Sequence, residues 1–313
     1  MATNISKIKN QNRDLVDNRN SDTEAINNNI MTHIEPECID CLVEGEGDLF
    51  YKKVYKKKIS KRPNKNINFY AINQENPKYP VPKEFEDYFR GAIEDFVKNH
   101  NNKTTVTITG IIDRDFDNPN DITIPGKLEC TDGNDLETTK ILFDYDNIKS
   151  AVSSYVNDEN IFDECIKLAA TIGKVRYIIK KNRKQLSCKP LKKLEIKTNY
   201  FYDLFKNNTI TMDYILSYLE IKPKSCLSSL KEQINNLQGA DIFYCRGHDI
   251  FNLIGCYKKY LTSNTPSDCF YSDVYKNRRK SEDSILSYFT LDKFCSSRIF
   301  SFLQNIDSNN DKN

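Results

Sequence analysis

The sequence predicts an α+β fold, with an N-terminal mixed sheet or small OB-like barrel carrying one helix, followed by a mainly helical C-terminal region. Three observations predict it. Strand-like runs separated by turn-rich segments prevail from Cys41 to about Asp146. After about Asn157 the apolar residues recur at helical spacing instead. Aromatic residues make up 11% of the chain, with Tyr 18, Phe 17 and Trp 0, so the core is ring-rich.

The elements follow in order. Residues 1–32 are polar and Asn-rich and read as a disordered arm, because they bury too little to offset ordering entropy. A β-rich nucleic-acid-binding region spans 33–150. Within it Leu49–Ile59, Asn68–Ile72, Thr104–Ile112, Ile122–Cys130 and Thr139–Asp144 are candidate strands. Thr104–Ile112 alternates, placing Val106, Ile108, Gly110 and Ile112 on one face, which predicts a half-buried strand. Pro82 opens a helix in which Phe85, Phe89, Ile93, Phe96 and Val97 share a face. The region 151–306 is mainly helical. Asn157 caps a helix that Gly173 ends, KVRYIIKK follows as a basic strand, and a basic loop holds Cys188 and Pro190. Thr209–Leu219, Ser225–Leu237, Asp249–Leu261 and Ser281–Leu303 complete the helices, and 307–313 is a disordered tail.

Charge is unevenly spread although the net charge is only +2. Between Leu49 and Lys65 lie eight Lys or Arg residues and no acid: Lys52, Lys53, Lys56, Lys57, Lys58, Lys61, Arg62 and Lys65. They are interleaved with Phe50, Tyr51 and Tyr55, and Phe69 and Tyr70 follow. On an extended chain Tyr51, Tyr55 and Ile59 share one face and Phe50 and Val54 the other. Cations beside flat rings suit single-stranded nucleic acid, whose phosphates they neutralise and whose bases stack on the rings. An edge strand guarded by lysines is the bland alternative. A second block contains Arg176, Lys180, Lys181, Arg183 and Lys184 beside Tyr177, and is compatible with a nuclear-import signal. A third lies at Tyr275–Lys280. Three such clusters in a nearly neutral chain suggest one phosphate track.

Other chemistry is less well supported. Asp113, Asp115, Asp117 and Asp121 invite a magnesium-dependent nuclease reading, but a solvated acidic loop is the preferred one. Cys38, Cys41, Cys245 and His248 are a conceivable zinc set from distant parts of the chain. No metal or cofactor is expected. His248 beside Cys245 has no third group to orient it, and no Walker loop, GxGxxG or GxSxG occurs. The ten cysteines are scattered, no apolar h-region opens the sequence and no stretch is long enough for a membrane span. A reducing compartment, cytoplasmic or nuclear, is therefore expected.

The stretch FYKKVYKKKISKRPNKNINFYAIN, followed by YPVPKEFEDYF, resembles the baculovirus single-stranded DNA-binding protein family. That resemblance implies a non-enzymatic viral replication protein of the host nucleus that coats and helps unwind DNA. The expectation is thus a sequence-tolerant binder of single-stranded DNA rather than RNA, with room for self-association along the strand and no membrane partner. Two readings from other classes stand beside it, a metal-dependent nuclease built on Asp113–Asp121 and a viral structural or transcription-assembly protein that binds acidic partners.

Overall fold

The computed structural model describes residues 38–59, 65–72, 76–86, 88–99, 106–182, 186, 212, 216, 220–262 and 281–308. Its centre is a sheet of four strands, β1 (Cys38–Val43), β2 (Asn66–Ala71), β3 (Thr107–Ile112) and β4 (Leu128–Cys130), in the order β2-β1-β3-β4. Every pairing between them is parallel. The expected combination of α and β is present, but the sheet is open and parallel rather than mixed or barrel-like. The difference has a local cause. The segment Leu49–Ile59, read as a strand, is helical and crosses between the parallel strands β1 and β2, and parallel neighbours require such crossovers.

α1 (Phe50–Val54) continues into a π-helical turn, Tyr55–Ile59, and together they join β1 to β2. The expected strand Leu49–Ile59 is therefore corrected. Tyr51, Val54 and Tyr55 are buried while Lys52, Lys53, Lys56 and Lys57 are exposed, a helical rather than an alternating pattern. α2 (Phe89–Asn99) joins β2 to β3 on the opposite face, as right-handed crossovers leaving in opposite directions require. Ala92, Ile93, Phe96 and Val97 of α2 pack on Leu42, Ile108 and Ile112. On the other face Ile39, Cys41 and Val43 meet Tyr51, Val54 and the last helix. With both faces covered, β1 and β3 are buried along nearly their whole length, so β3 is not half-buried as its alternation implies.

α3 (Pro119–Ile122) is a short turn before β4, and of the segment Ile122–Cys130 read as one strand only Leu128–Cys130 is a strand. α4 (Leu136–Phe143) replaces the expected strand Thr139–Asp144. α5 (Tyr145–Val156) follows, and Asn157 leaves it in the left-handed conformation with φ +57, so this residue ends one helix instead of capping the next. α6 (Ile161–Lys181) runs straight through Gly173 and absorbs KVRYIIKK. Glycine is required there because a Cβ would stand 1.5 Å from the Tyr244 carbonyl oxygen.

α7 (Leu227–Asn235) and α8 (Gly247–Thr262) form with α5 and α6 a second core around Val152, Phe162, Phe251 and Ile254. Instead of one helix over Ser281–Leu303 there is a helical turn at 281–286, a 3-10 turn Leu291–Ser296 and α9 (Arg298–Ser308). Phe294, Ile299, Phe302, Leu303 and Ile306 return to the sheet, so the end of the helical region is part of the sheet's own core. Asp307 is buried in α9 and accepts the Tyr55 hydroxyl at 2.8 Å. The expected arm 1–32, most of 307–313 and Thr209–Leu219 and the cluster Tyr275–Lys280 lie outside the described residues, apart from positions 212 and 216. No helix among the described residues is long and apolar enough to cross a membrane.

Candidate active site

In an open parallel sheet, ligand sites form beyond the carboxyl ends of the strands, where the chain's direction of travel across the sheet reverses. Here β1 leads to β2 on one side, whereas the return crossover leads to β3 and β4 on the other. The reversal falls between β1 and β3. Val43 pairs with Ile111, and Ile112 with Cys130, so three strands end at nearly the same level. Each is followed by acids: Glu44 and Asp48 after β1, Asp113 and Asp115 after β3, and Asp132 and Asp135 after β4.

These groups meet. The Asp113 backbone N–H donates to Glu44 Oε1 at 2.8 Å, tying the two strand ends together. Gly45 N–H donates to Asp48 Oδ2 at 2.9 Å and turns the chain into α1. Asp115 and Phe116 both adopt left-handed backbone, with φ +48 and +69, a strained pair for non-glycine residues. Buried Asn134 holds that turn: its carbonyl accepts Asp115 N–H at 3.1 Å and its Oδ1 accepts Phe116 N–H at 2.9 Å. Asn134 Nδ2 donates onward to the carbonyls of Phe243 at 2.8 Å and Cys245 at 2.7 Å. Asp135 is the other clip. It accepts Thr138 N–H at 2.9 Å at the start of α4 and Gly247 N–H at 2.8 Å at the start of α8, so its carboxylate is already committed.

Glu44, Asp48, Asp113 and Asp115 are half-buried and act on one another electrostatically, although no three of them bring ligand atoms within 4.8 Å of one another. Burial pushes Glu44 up to about 8, with Asp115 and Asp48 adding to the rise against the Asp113 N–H. Burial likewise pushes Asp48 up to about 7. Asp113 lies well above the usual carboxylate range, through burial first and then Glu44, Asp48 and Asp135. Asp115 is raised by burial in spite of Arg246, Arg90 and Lys180 nearby. Among the described residues no donor hydrogen-bonds the Asp113 or Asp115 carboxylate. Asp117 differs: although burial opposes it, ion pairs with Lys180 at 2.9 Å and Arg90 at 2.8 Å hold it below the ordinary value. Beneath the cluster lies Tyr51, 1% exposed, whose hydroxyl has no hydrogen-bond partner. Burial, then Asp48, Asp113, Glu137 and Glu44, suppress its ionisation.

The arrangement corrects several expectations. Tyr51, Tyr55 and Phe69 are closed into the sheet's core and offer no stacking face, because the segment carrying the two tyrosines is a helix packed on the sheet. Tyr70 is half-buried against Tyr79, with Lys78 Nζ 4.8 Å from its ring centre. Lys52, Lys53, Lys56 and Lys57 are exposed on α1, and Lys58 pairs with Asp292. Arg176 is buried and paired with Asp249, so it is no phosphate ligand on a free surface. Lys180 reaches Asp117 and, at 3.1 Å, the Asp115 carbonyl, while Lys181 lies over Tyr177 at 4.5 Å. Lys61, Arg62, Arg183 and Lys184 lie outside the described residues. The acidic segment is no solvated loop at Asp113 and Asp115, and only Asp121 keeps that character.

The conceivable zinc set does not assemble among the described residues. Buried Cys41 has its thiol pushed up to about 12, chiefly by burial, and Cys245 donates its thiol to the carbonyls of Ile166 and Asp241 at 3.4 Å. Glu44 and Asp48 went unnoticed as site residues. For Glu44 the signal is an acid placed immediately after an apolar run, as at CLV-Glu44 and ITGII-Asp113; Asp48, which follows Glu46 and Gly47, carries no such signal. No known family model matches the chain, and no curated protein matches it.

Proposed function

We propose that the protein is a divalent-cation-dependent enzyme of phosphodiester chemistry, with nucleic acid as its substrate. The observation that carries this reading is the set Glu44, Asp48, Asp113 and Asp115 at the reversal of the sheet, poorly supplied with donors and lying over the orphaned hydroxyl of Tyr51. Like charges that act on one another raise one another's proton affinity, and a hard cation held by one or two of these carboxylates and completed by water relieves that repulsion, although no three of the four bring ligand atoms within 4.8 Å of one another. Such an ion polarises a phosphoryl oxygen and lowers the pKa of water. Arg246 sits among Asp115, Asp135 and Asp113 and supplies positive charge for a phosphate. The exposed lysines of α1, the helix leading straight out of the site, favour a polyanion as substrate.

Non-enzymatic binding of single-stranded DNA is the second reading, favoured by those same exposed lysines, Lys52, Lys53, Lys56 and Lys57. Its stacking component loses support with the burial of Tyr51, Tyr55 and Phe69. One experiment separates the two. End-labelled single-stranded and duplex oligonucleotides are incubated with the protein in Mg²⁺, Mn²⁺ or EDTA. Cation-dependent cleavage that Asp113→Asn lowers by at least about 10²-fold supports the enzyme. Salt-sensitive retention without cleavage in any cation supports the binding protein and sinks the enzymatic proposal.

A further inference from the structure

We infer that Glu137, His248 and Glu282 form a separate site for a divalent transition-metal ion. One ligand atom from each lies within 4.8 Å of the others, and theirs is the one such grouping of His, Cys, Asp and Glu among the described residues. The three come from different elements, namely the first turn of α4, the first turn of α8 and the helical turn at 281–286. Their convergence is built in. Asp135 hydrogen-bonds the N-termini of both α4 and α8, and a Cβ on Gly247 would stand 2.2 Å from the Glu137 Cβ, so only glycine lets the two helices meet there. This fixes His248 beside Glu137.

Each of the three side chains is half-buried, so an ion has access from solvent. Imidazole nitrogen with two carboxylate oxygens is a mixed donor set that selects Mn²⁺, Co²⁺ or Zn²⁺ over Mg²⁺, whose preference is for oxygen alone. Lys140 is the local counter-charge: burial lowers its proton affinity, against Glu137, Glu282 and Asp48 around it. The assignment stands on these residues alone and holds whether or not the neighbouring acids perform phosphodiester chemistry.

The test uses the full chain, stripped with EDTA and titrated with Co²⁺ by calorimetry, with Mn²⁺ as a second probe for pulsed electron paramagnetic resonance. Bound Mn²⁺ is expected to show coupling to an imidazole nitrogen, both in the unaltered protein and in a Glu44→Gln/Asp113→Asn double variant. His248→Ala removes that coupling and weakens the corresponding Co²⁺ affinity by at least about tenfold. Glu282→Gln weakens it similarly and serves as the reporter if the histidine variant fails to fold, as judged by circular dichroism. Absence of nitrogen coupling in the unaltered protein, its persistence in His248→Ala, or Co²⁺ affinity unmoved by Glu282→Gln overturns the assignment. Loss of nucleolytic activity in the double variant with nitrogen coupling intact separates this site from the reading given above.

Discussion

Glu44 keeps its proton to about pH 8 because it is buried beside Asp115 and Asp48, and that has a measurable cost to the fold. Its folded value lies above the unfolded one. The associated stability is therefore fully present below about pH 4, the unfolded carboxyl value, and is lost as pH rises toward 8. Glu44→Gln keeps an oxygen to accept Asp113 N–H and removes the titration. In EDTA at pH 8 the variant is expected to be more stable than the parent by about 1–3 kcal/mol, with the gain vanishing near pH 4. Urea unfolding at the two pH values measures it, and an equal gain at both would refute the electrostatic account. Asn134 acts in the opposite sense. Asn134→Ala orphans the buried carbonyls of Phe243 and Cys245 and frees the left-handed turn at Asp115, so a loss of at least about 2 kcal/mol is expected by the same assay. Neither role is legible from the residues' own identities. An asparagine in TDGND reads as turn chemistry, and its reach to Phe243, 109 residues away, exists only in the fold.

Helices misread as strands share a physical origin. In the segment Leu49–Ile59 and in KVRYIIKK, β-branched and aromatic residues raise strand propensity, yet Tyr51, Val54 and Tyr55, or Ile172, Val175 and Ile179, fall on one helical face. Tertiary packing decided between two periodicities that short segments hold nearly equally. By contrast β2, α2, α7 and α8 were legible, since each carries one pattern without a competitor. β1 was missed because a central parallel strand is buried on both faces and shows no alternation. Without it the acids that follow β1 and β3 look like loop residues, and the site cannot be read at all. Gly173 gives an element-level test of the long helix. Alanine is favoured over glycine inside a helix by about 1 kcal/mol, yet here its Cβ would overlap the Tyr244 carbonyl oxygen. Gly173→Ala is expected to destabilise by at least about 2 kcal/mol in a thermal unfolding assay, and a stabilised variant would show that α6 and the Asp241–Tyr244 turn do not pack as described.

At the scale of the whole molecule the sheet and the helical region are joined through the acidic edge itself. Asn134 and Asp135 reach the segment that opens α8, Lys180 of α6 reaches Asp117, and Asp132 accepts the Arg298 N–H at the start of α9, at 3.1 Å. A cation that binds this edge therefore stabilises the fold globally rather than ordering one loop. Its binding must displace protons from Glu44 at about 8 and Asp48 at about 7, so affinity is expected to climb with pH across that interval and flatten above it. Linkage converts affinity into stability: an ion at 100 times its dissociation constant adds about 2.7 kcal/mol. The rise in thermal midpoint caused by millimolar Mg²⁺, which the Glu137–His248–Glu282 set disfavours, is thus expected to be small at pH 5.5 and several degrees at pH 8. Glu44→Gln and Asp113→Asn should flatten that dependence, whereas reversing the charge of Lys52, Lys53, Lys56 and Lys57 should leave it unchanged while lowering affinity for oligonucleotides. A midpoint shift independent of pH, or one abolished by the lysine changes, would place the cation elsewhere on the molecule and remove the physical basis for chemistry at this edge.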